Sequence, residues 1–119
     1  MAEFKDITRE ELKKWMDEEK DFVFVDVLGE QSYEARHLPG AKNVPGGDDF
    51  IERVSKVAPD KDKTIVVYCS SFTCKASPTA ASELVEAGYK DVYDFRGGLA
   101  DWQDGGFDFE KASSQQRSV

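Results

Sequence analysis

Histidine is almost missing from this 119-residue chain and cysteine is scarce: there is one histidine, His37, and there are two cysteines, Cys69 and Cys74. So few soft ligands do not make the usual zinc site, and two cysteines without a secretory leader argue against a disulfide scaffold. No long apolar run is present either, so no membrane span is expected. The opening residues Met1-Ala2-Glu3-Phe4-Lys5-Asp6 do not read as a signal peptide. Positive charge is short as well: 16 Lys and Arg against 24 Asp and Glu leave a net charge of −8. A field of that sign disfavours nucleic acid and anionic membrane surfaces as partners. It also repels small anions, so an anion site must recover its attraction locally. These absences predict a cytoplasmic protein that calls for no cofactor and no metal.

What is present suits one compact domain: 39% of residues are hydrophobic, enough for a core at this length. Thr8 and Glu11 form a capping box with Ile7 and Leu12 placed to staple across it, so a helix starts near Arg9 with Leu12, Trp15 and Met16 on its apolar face. Residues 22–27 read as a buried strand. Asp26 within it is unusual, and a structural hydrogen-bonding role is its expected use. A short helical pattern covers residues 29–37 with Tyr33 inward, and a turn leads to Lys42-Asn43-Val44. Asp48 and Asp49 are placed to cap a helix through Phe50, Ile51, Val54 and Val57. Residues 91–95 are a last strand, and a final turn of helix contains Trp102. Residues 111–119 are polar and without apolar anchors, which predicts a disordered tail after a domain of residues 1–110. Strands separated by helices imply an α/β protein with a parallel sheet covered on both faces. Ligands in such sheets collect beyond the carboxyl ends of the strands.

Cys69 stands at that edge, because residues 65–68 are an apolar, β-branched strand running straight into it. Ser77-Pro78 then predicts an N-cap and first helical position, with Ala80, Ala81, Leu84 and Val85 on one face and Gly88 as terminator. A loop above a helix N-terminus offers unpaired N–H groups and a partial positive charge, which lower a thiol pKa and hold an anion. The sequence therefore predicts a Cys69 thiolate that is ionised and reachable. The plain alternative is an inert buried cysteine.

Taken together, Phe22-Val23-Phe24-Val25-Asp26-Val27, Tyr33-Glu34-Ala35-Arg36-His37-Leu38-Pro39-Gly40-Ala41-Lys42-Asn43-Val44-Pro45, Val66-Val67-Tyr68-Cys69 and Val92-Tyr93-Asp94-Phe95-Arg96-Gly97-Gly98-Leu99-Ala100-Asp101-Trp102 resemble a single-domain rhodanese over residues 5–110. The resemblance implies a five-stranded parallel sheet flanked by helices, with Cys69 as sulfur acceptor. It also implies that Asp26 and His37 are scaffold positions beside the site. Arg96, at the end of a neighbouring strand, is a candidate for the site rim.

The loop departs from the family pattern. Phe72 and Cys74 stand where the family usually has glycine and arginine, and Leu28 stands where a second arginine is common. The loop is also about two residues longer. Related phosphatases and arsenate reductases place an arginine after cysteine and five residues, and here that position is Lys75, a point charge without the bidentate fork. Ser70, Ser71 and Thr73 are small and polar enough to let the backbone approach a ligand, and Phe72 would wall the pocket or meet a partner. Cys74 is either a packing residue or a resolving thiol, since a separation of five on a curved loop allows two cysteines to approach bonding distance without fixing that geometry. Three functions follow. One is a sulfurtransferase or persulfide carrier that takes sulfane sulfur from thiosulfate or a persulfide and passes it to a thiol, cyanide or an acceptor protein. Another is a thiol–disulfide redox protein using Cys69 and Cys74. The last is a non-catalytic protein-binding module.

Overall fold

The computed structural model describes residues 3–110. The tail expected at 111–119 lies outside the described residues. Helix α1 (Arg9–Asp17) begins at the predicted box: the Glu11 N–H donates to Thr8 Oγ1 at 3.1 Å and the Thr8 N–H to Glu11 Oε1 at 3.1 Å. Strand β2 (Val23–Asp26), helix α2 (Glu30–Ala35), strand β3 (Lys42–Asn43), helix α3 (Phe50–Val57), strand β4 (Thr64–Tyr68), helix α4 (Ala76–Glu86), strand β5 (Asp91–Phe95) and helix α5 (Gly98–Asp104) follow in alternation. A further strand, β1 (Lys5–Asp6), precedes α1 and pairs with β5. Two residues carry no periodicity, so β1 leaves no trace in the residue pattern.

The five strands are all parallel, in the order β1-β5-β4-β2-β3. β4 thus occupies the middle with β5 and β2 on either side, where both faces need covering, and the β4 sequence is accordingly apolar. Val25, Ile65, Val67 and Val92 face α3 and α4, meeting Phe50, Val54, Ala80, Ala81 and Leu84. Phe24, Val66, Tyr68 and Phe95 face α1 and α5, meeting Leu12, Leu99 and Trp102.

Two helix starts differ from expectation. Asp49 precedes α3 but makes no side-chain cap. α4 begins one residue before Ser77, with Lys75 at the cap position and no side-chain cap there either. Pro78 is accommodated because the first turn has no intrahelical use for its missing N–H. The Ser77 hydroxyl is free to turn inward as a result. Gly88 closes the helix as predicted, at φ +105°.

Candidate active site

β4 delivers Cys69 to the carboxyl edge of the sheet, and residues 70–75 turn there before α4. Cys74 folds back over Cys69 and the two are joined as a disulfide, their Cα atoms 6.4 Å apart. A turn closed by the Cys74 N–H on the Ser71 carbonyl at 3.0 Å makes the reversal. Cys69 is 0% exposed, so the ionised and reachable thiolate expected from the sequence is not the form seen here. Its sulfur is covered by Cys74, which is itself half-buried. The hydroxyl of Ser77, wholly buried in the first turn of α4, lies 3.4 Å from Cys69 Sγ.

The loop backbone is held from α5. The Leu99 N–H donates to the Cys69 carbonyl at 3.1 Å and the Ala100 N–H to the Ser70 carbonyl at 2.9 Å. In trans peptides the next N–H points opposite to each carbonyl, so the Ser70 and Ser71 N–H groups are turned away from α5. This approach depends on Gly98, whose φ is +59° and where a Cβ would fall 2.3 Å from the Cys69 oxygen. Gly98 is a site residue that the sequence reading did not single out. Its signal was the Gly97-Gly98 pair placed directly after a strand.

Of the other loop residues, Ser70, Thr73 and Lys75 are exposed and Ser71 is half-buried, its hydroxyl 3.1 Å from that of Thr73. Phe72 is 62% exposed. It borders a cleft of about 440 Å³ whose other walls include Arg96, Arg9, Asp101 and Asp6. Phe72 and Arg96 therefore share one rim, while Lys75 lines one cleft with Val27, Gly46 and Glu83 and another with Phe4 and Arg96. Arg9 is already engaged, 2.9 Å from Asp101 Oδ1.

Asp26 and His37 sit in the scaffold beneath. Asp26 is buried and accepts from the Leu28 N–H at 2.8 Å and from Tyr68 Oη at 2.8 Å. Tyr68 in turn accepts from the Leu38 N–H at 3.0 Å. Burial raises the Asp26 carboxyl above its usual range, opposed by those two donors and by His37. Tyr68 is raised also, by burial and then by Asp26. His37 stacks on Tyr33 at 3.8 Å between ring centroids, and its Nδ1 lies 2.8 Å from the Tyr33 carbonyl. Its backbone pairs with Glu110, so it ties the end of the domain to the turn after α2.

A second aspartate, Asp94 on β5, is 0% exposed and faces the α4 side of the sheet with Val92. Neither carboxylate oxygen has a hydrogen-bond partner among the described residues. Burial pushes its pKa up to about 6; Ser77 and Arg96 oppose the rise and Asp6 adds to it. The Ser77 hydroxyl is thus near enough to favour the ionised form without meeting the geometry of a hydrogen bond.

The profile of the rhodanese-like domain matches residues 8–105. The chain is 33% identical over 93 residues to the thiosulfate sulfurtransferase GlpE of Coxiella burnetii, covering 77% of this chain and 82% of the relative. It is 34% identical over 105 residues to that of Pseudomonas syringae, covering 87% and 91%. Among solved structures, a thiosulfate sulfurtransferase from Pseudomonas aeruginosa superposes with a TM-score of 0.81 at 26% identity, over 91% of this chain and 20% of that longer one. The Alr3790 protein of an Anabaena species gives 0.78 at 27% identity, over 95% and 100%. The profile match takes in every strand but β1 and the whole cysteine loop, and on that ground the chain belongs to the family of rhodanese-like domains.

Proposed function

We propose that the protein is a sulfurtransferase in which Cys69 accepts a sulfane sulfur and Cys74 resolves the persulfide. The observation that carries this reading is the Cys69–Cys74 pairing across a loop built between a parallel strand and a helix N-terminus. The named activity of the relatives, thiosulfate sulfurtransferase, supports the reaction class.

In the reduced protein the Cys69 thiolate attacks the outer sulfur of a donor. With thiosulfate, a new S–S bond forms on Cys69 and sulfite leaves with the electron pair of the broken S–S bond. With a persulfide donor, a thiolate leaves instead. The Ser70 and Ser71 N–H groups and the start of α4 supply the dipoles that hold the anionic outer sulfur. From there the sulfur passes to an acceptor thiol or cyanide. Alternatively, the Cys74 thiolate attacks the inner sulfur of Cys69, expels hydrosulfide, and leaves the disulfide seen here. An external thiol then reopens the pair. Phe72 and Arg96 at the rim meet the donor or an acceptor protein. Lys75 contributes only a point charge to the loop.

The test is mass spectrometry of the reduced protein after exposure to thiosulfate or glutathione persulfide. The wild type is expected to release sulfide and end as the disulfide. Cys74→Ser should accumulate one added sulfur on the Cys69 peptide, with sulfide release falling at least about tenfold. Cys69→Ser should take up none. The same pairing favours a second reading, a dithiol–disulfide redox protein that moves no sulfane sulfur. An unmodified Cys69 in Cys74→Ser after persulfide exposure would select that reading.

A further inference from the structure

The disulfide places unequal sulfurs toward solvent. Cys74 is half-buried and Cys69 is wholly buried, so an external thiolate reaches Cys74 and Cys69 is the sulfur that leaves. A thiolate formed there appears inside the protein, where an unpaired charge is costly. The Ser77 hydroxyl lies 3.4 Å from that sulfur. On the same face of the sheet Asp94 lies opposite Val67, two residues before Cys69 on its neighbouring strand, fully buried and with both oxygens unpartnered among the described residues. A buried carboxyl without donors has no structural bond to make. Its remaining use is to carry or surrender a proton.

We propose that Asp94 holds the proton of the Cys69 sulfur and exchanges it through the Ser77 hydroxyl whenever the Cys69–Cys74 bond opens or Cys69 attacks a donor. This rests on the reading above that Cys69 is the reacting sulfur and Cys74 its partner. On opening, an external thiolate bonds to Cys74 Sγ and the pair of the broken S–S bond stays on Cys69. Ser77 gives its hydroxyl proton to that sulfur and takes the carboxyl proton of Asp94. The products are Cys69 thiol, Asp94 carboxylate and a mixed disulfide on Cys74. In the loading direction the same path runs backwards: the Asp94 carboxylate takes the thiol proton through Ser77 as Cys69 becomes the nucleophile. Two anions so close oppose one another, so the reduced centre shares one proton between them. Asp94 is a positioning residue in this scheme, since it acts through Ser77.

The groups that bear on Asp94 are few. Asp6, its register partner on β1, disfavours its ionisation, and Arg96, just past β5, favours it. On β4 its neighbour is Val67, and the titratable Tyr68 belongs to the opposite face with Asp26. From the α4 side come Ser77 and, at the cap, Lys75. Only Asp94 among the carboxyls named here both is pushed to about 6 and lies on the Cys69 face of the sheet.

The test is the rate at which dithiothreitol opens the disulfide between about pH 5 and pH 8, divided by the reagent's thiolate fraction. The wild type is expected to be about three- to tenfold faster at the acid end, with a step near pH 6, because a protonated Asp94 relieves the leaving sulfur. Asp94→Asn keeps the shape but cannot titrate, so its corrected rate should be flat. Ser77→Ala should lower the acid-end rate several-fold and shrink the step. A purely structural role for Asp94 would move the melting temperature and leave the step in place. A step surviving in Asp94→Asn, or missing from the wild type, overturns the proposal. Should Asp94→Asn not fold, a Ser77→Ala profile identical to wild type overturns it alone. Persulfide loading measured beside it separates the two readings. A step without added sulfur on Cys69 removes sulfur transfer and keeps the proton path, and added sulfur without a step does the reverse.

Discussion

Replacing Asp94 by asparagine should stabilise the protein, and by an amount that depends on pH. The carboxyl moves from 3.8 to about 6 on folding because burial penalises its charge. At about 1.4 kcal/mol per pH unit, ionised Asp94 costs the folded state about 3 kcal/mol relative to the protonated acid. The sign follows from linkage. A carboxyl raised on folding binds its proton more tightly in the native state, so its contribution is present below pH 4 and is lost as pH rises through 6. Asparagine mimics the protonated acid at every pH. Between pH 5 and pH 8 the stability gap in favour of Asp94→Asn should widen by about 1.5 kcal/mol, or about 5 °C in Tm for a domain of this size. Asp26, whose carboxyl is also raised, is common to both proteins and cancels in the difference. Thermal melts of the oxidised proteins, followed by circular dichroism, read this directly. A gap that does not change with pH, or a variant less stable than wild type at pH 8, would refute the assignment of Asp94 as a buried, uncompensated carboxyl.

Tyr68→Phe strips the Leu38 N–H of its acceptor and Asp26 of a donor, and should cost about 2–4 kcal/mol in urea denaturation. Gly98→Ala places a methyl 2.3 Å from the Cys69 oxygen at φ +59°, so it should cost more than about 1–2 kcal/mol and slow sulfur loading while Cys69 and Cys74 remain intact. With a net charge of −8, loading by dianionic thiosulfate should speed up as salt rises from about 20 to about 200 mM, and more steeply than loading by a singly charged persulfide. Stopped assays of sulfite or thiol release at both ionic strengths check it.

The elements that were legible in the sequence are those whose signals are local. The Thr8–Glu11 box, the apolar runs of β2, β4 and β5 and the positive φ at Gly88 each follow from a few adjacent residues. Cys69 at a strand end was legible for the same reason. What was not legible depends on pairs distant in the chain. β1 exists because β5 offers it an edge. Gly98 matters because α5 packs the Leu99 and Ala100 N–H groups on the carbonyls of Cys69 and Ser70, far earlier in the chain. Ser77 read as a cap because serine before proline usually is one, yet its hydroxyl turns inward to 3.4 Å from Cys69 Sγ. Asp94 had the same signature as Asp26, an acid in an apolar strand. Only the opposite face of the sheet separates the satisfied carboxyl from the unsatisfied one.

In the proposed mechanism, Cys74 at the place of the family's loop arginine changes how the reaction ends. A guanidinium fork holds the anionic outer sulfur of a persulfide until an acceptor arrives. Here the loop's cation is an exposed lysine, and a second sulfur lies within bonding reach of the first. A tethered thiolate competes at an effective concentration far above that of free thiols, so in the proposed mechanism Cys74 sets the persulfide's lifetime. Turnover then waits on reopening a disulfide whose buried half is Cys69. The barrier to that step is the cost of a thiolate leaving into the protein interior, which the proton path proposed through Ser77 and Asp94 would lower. On that proposal the groups that limit the rate lie under the sulfur, on α4 and β5, and not around the anion it receives.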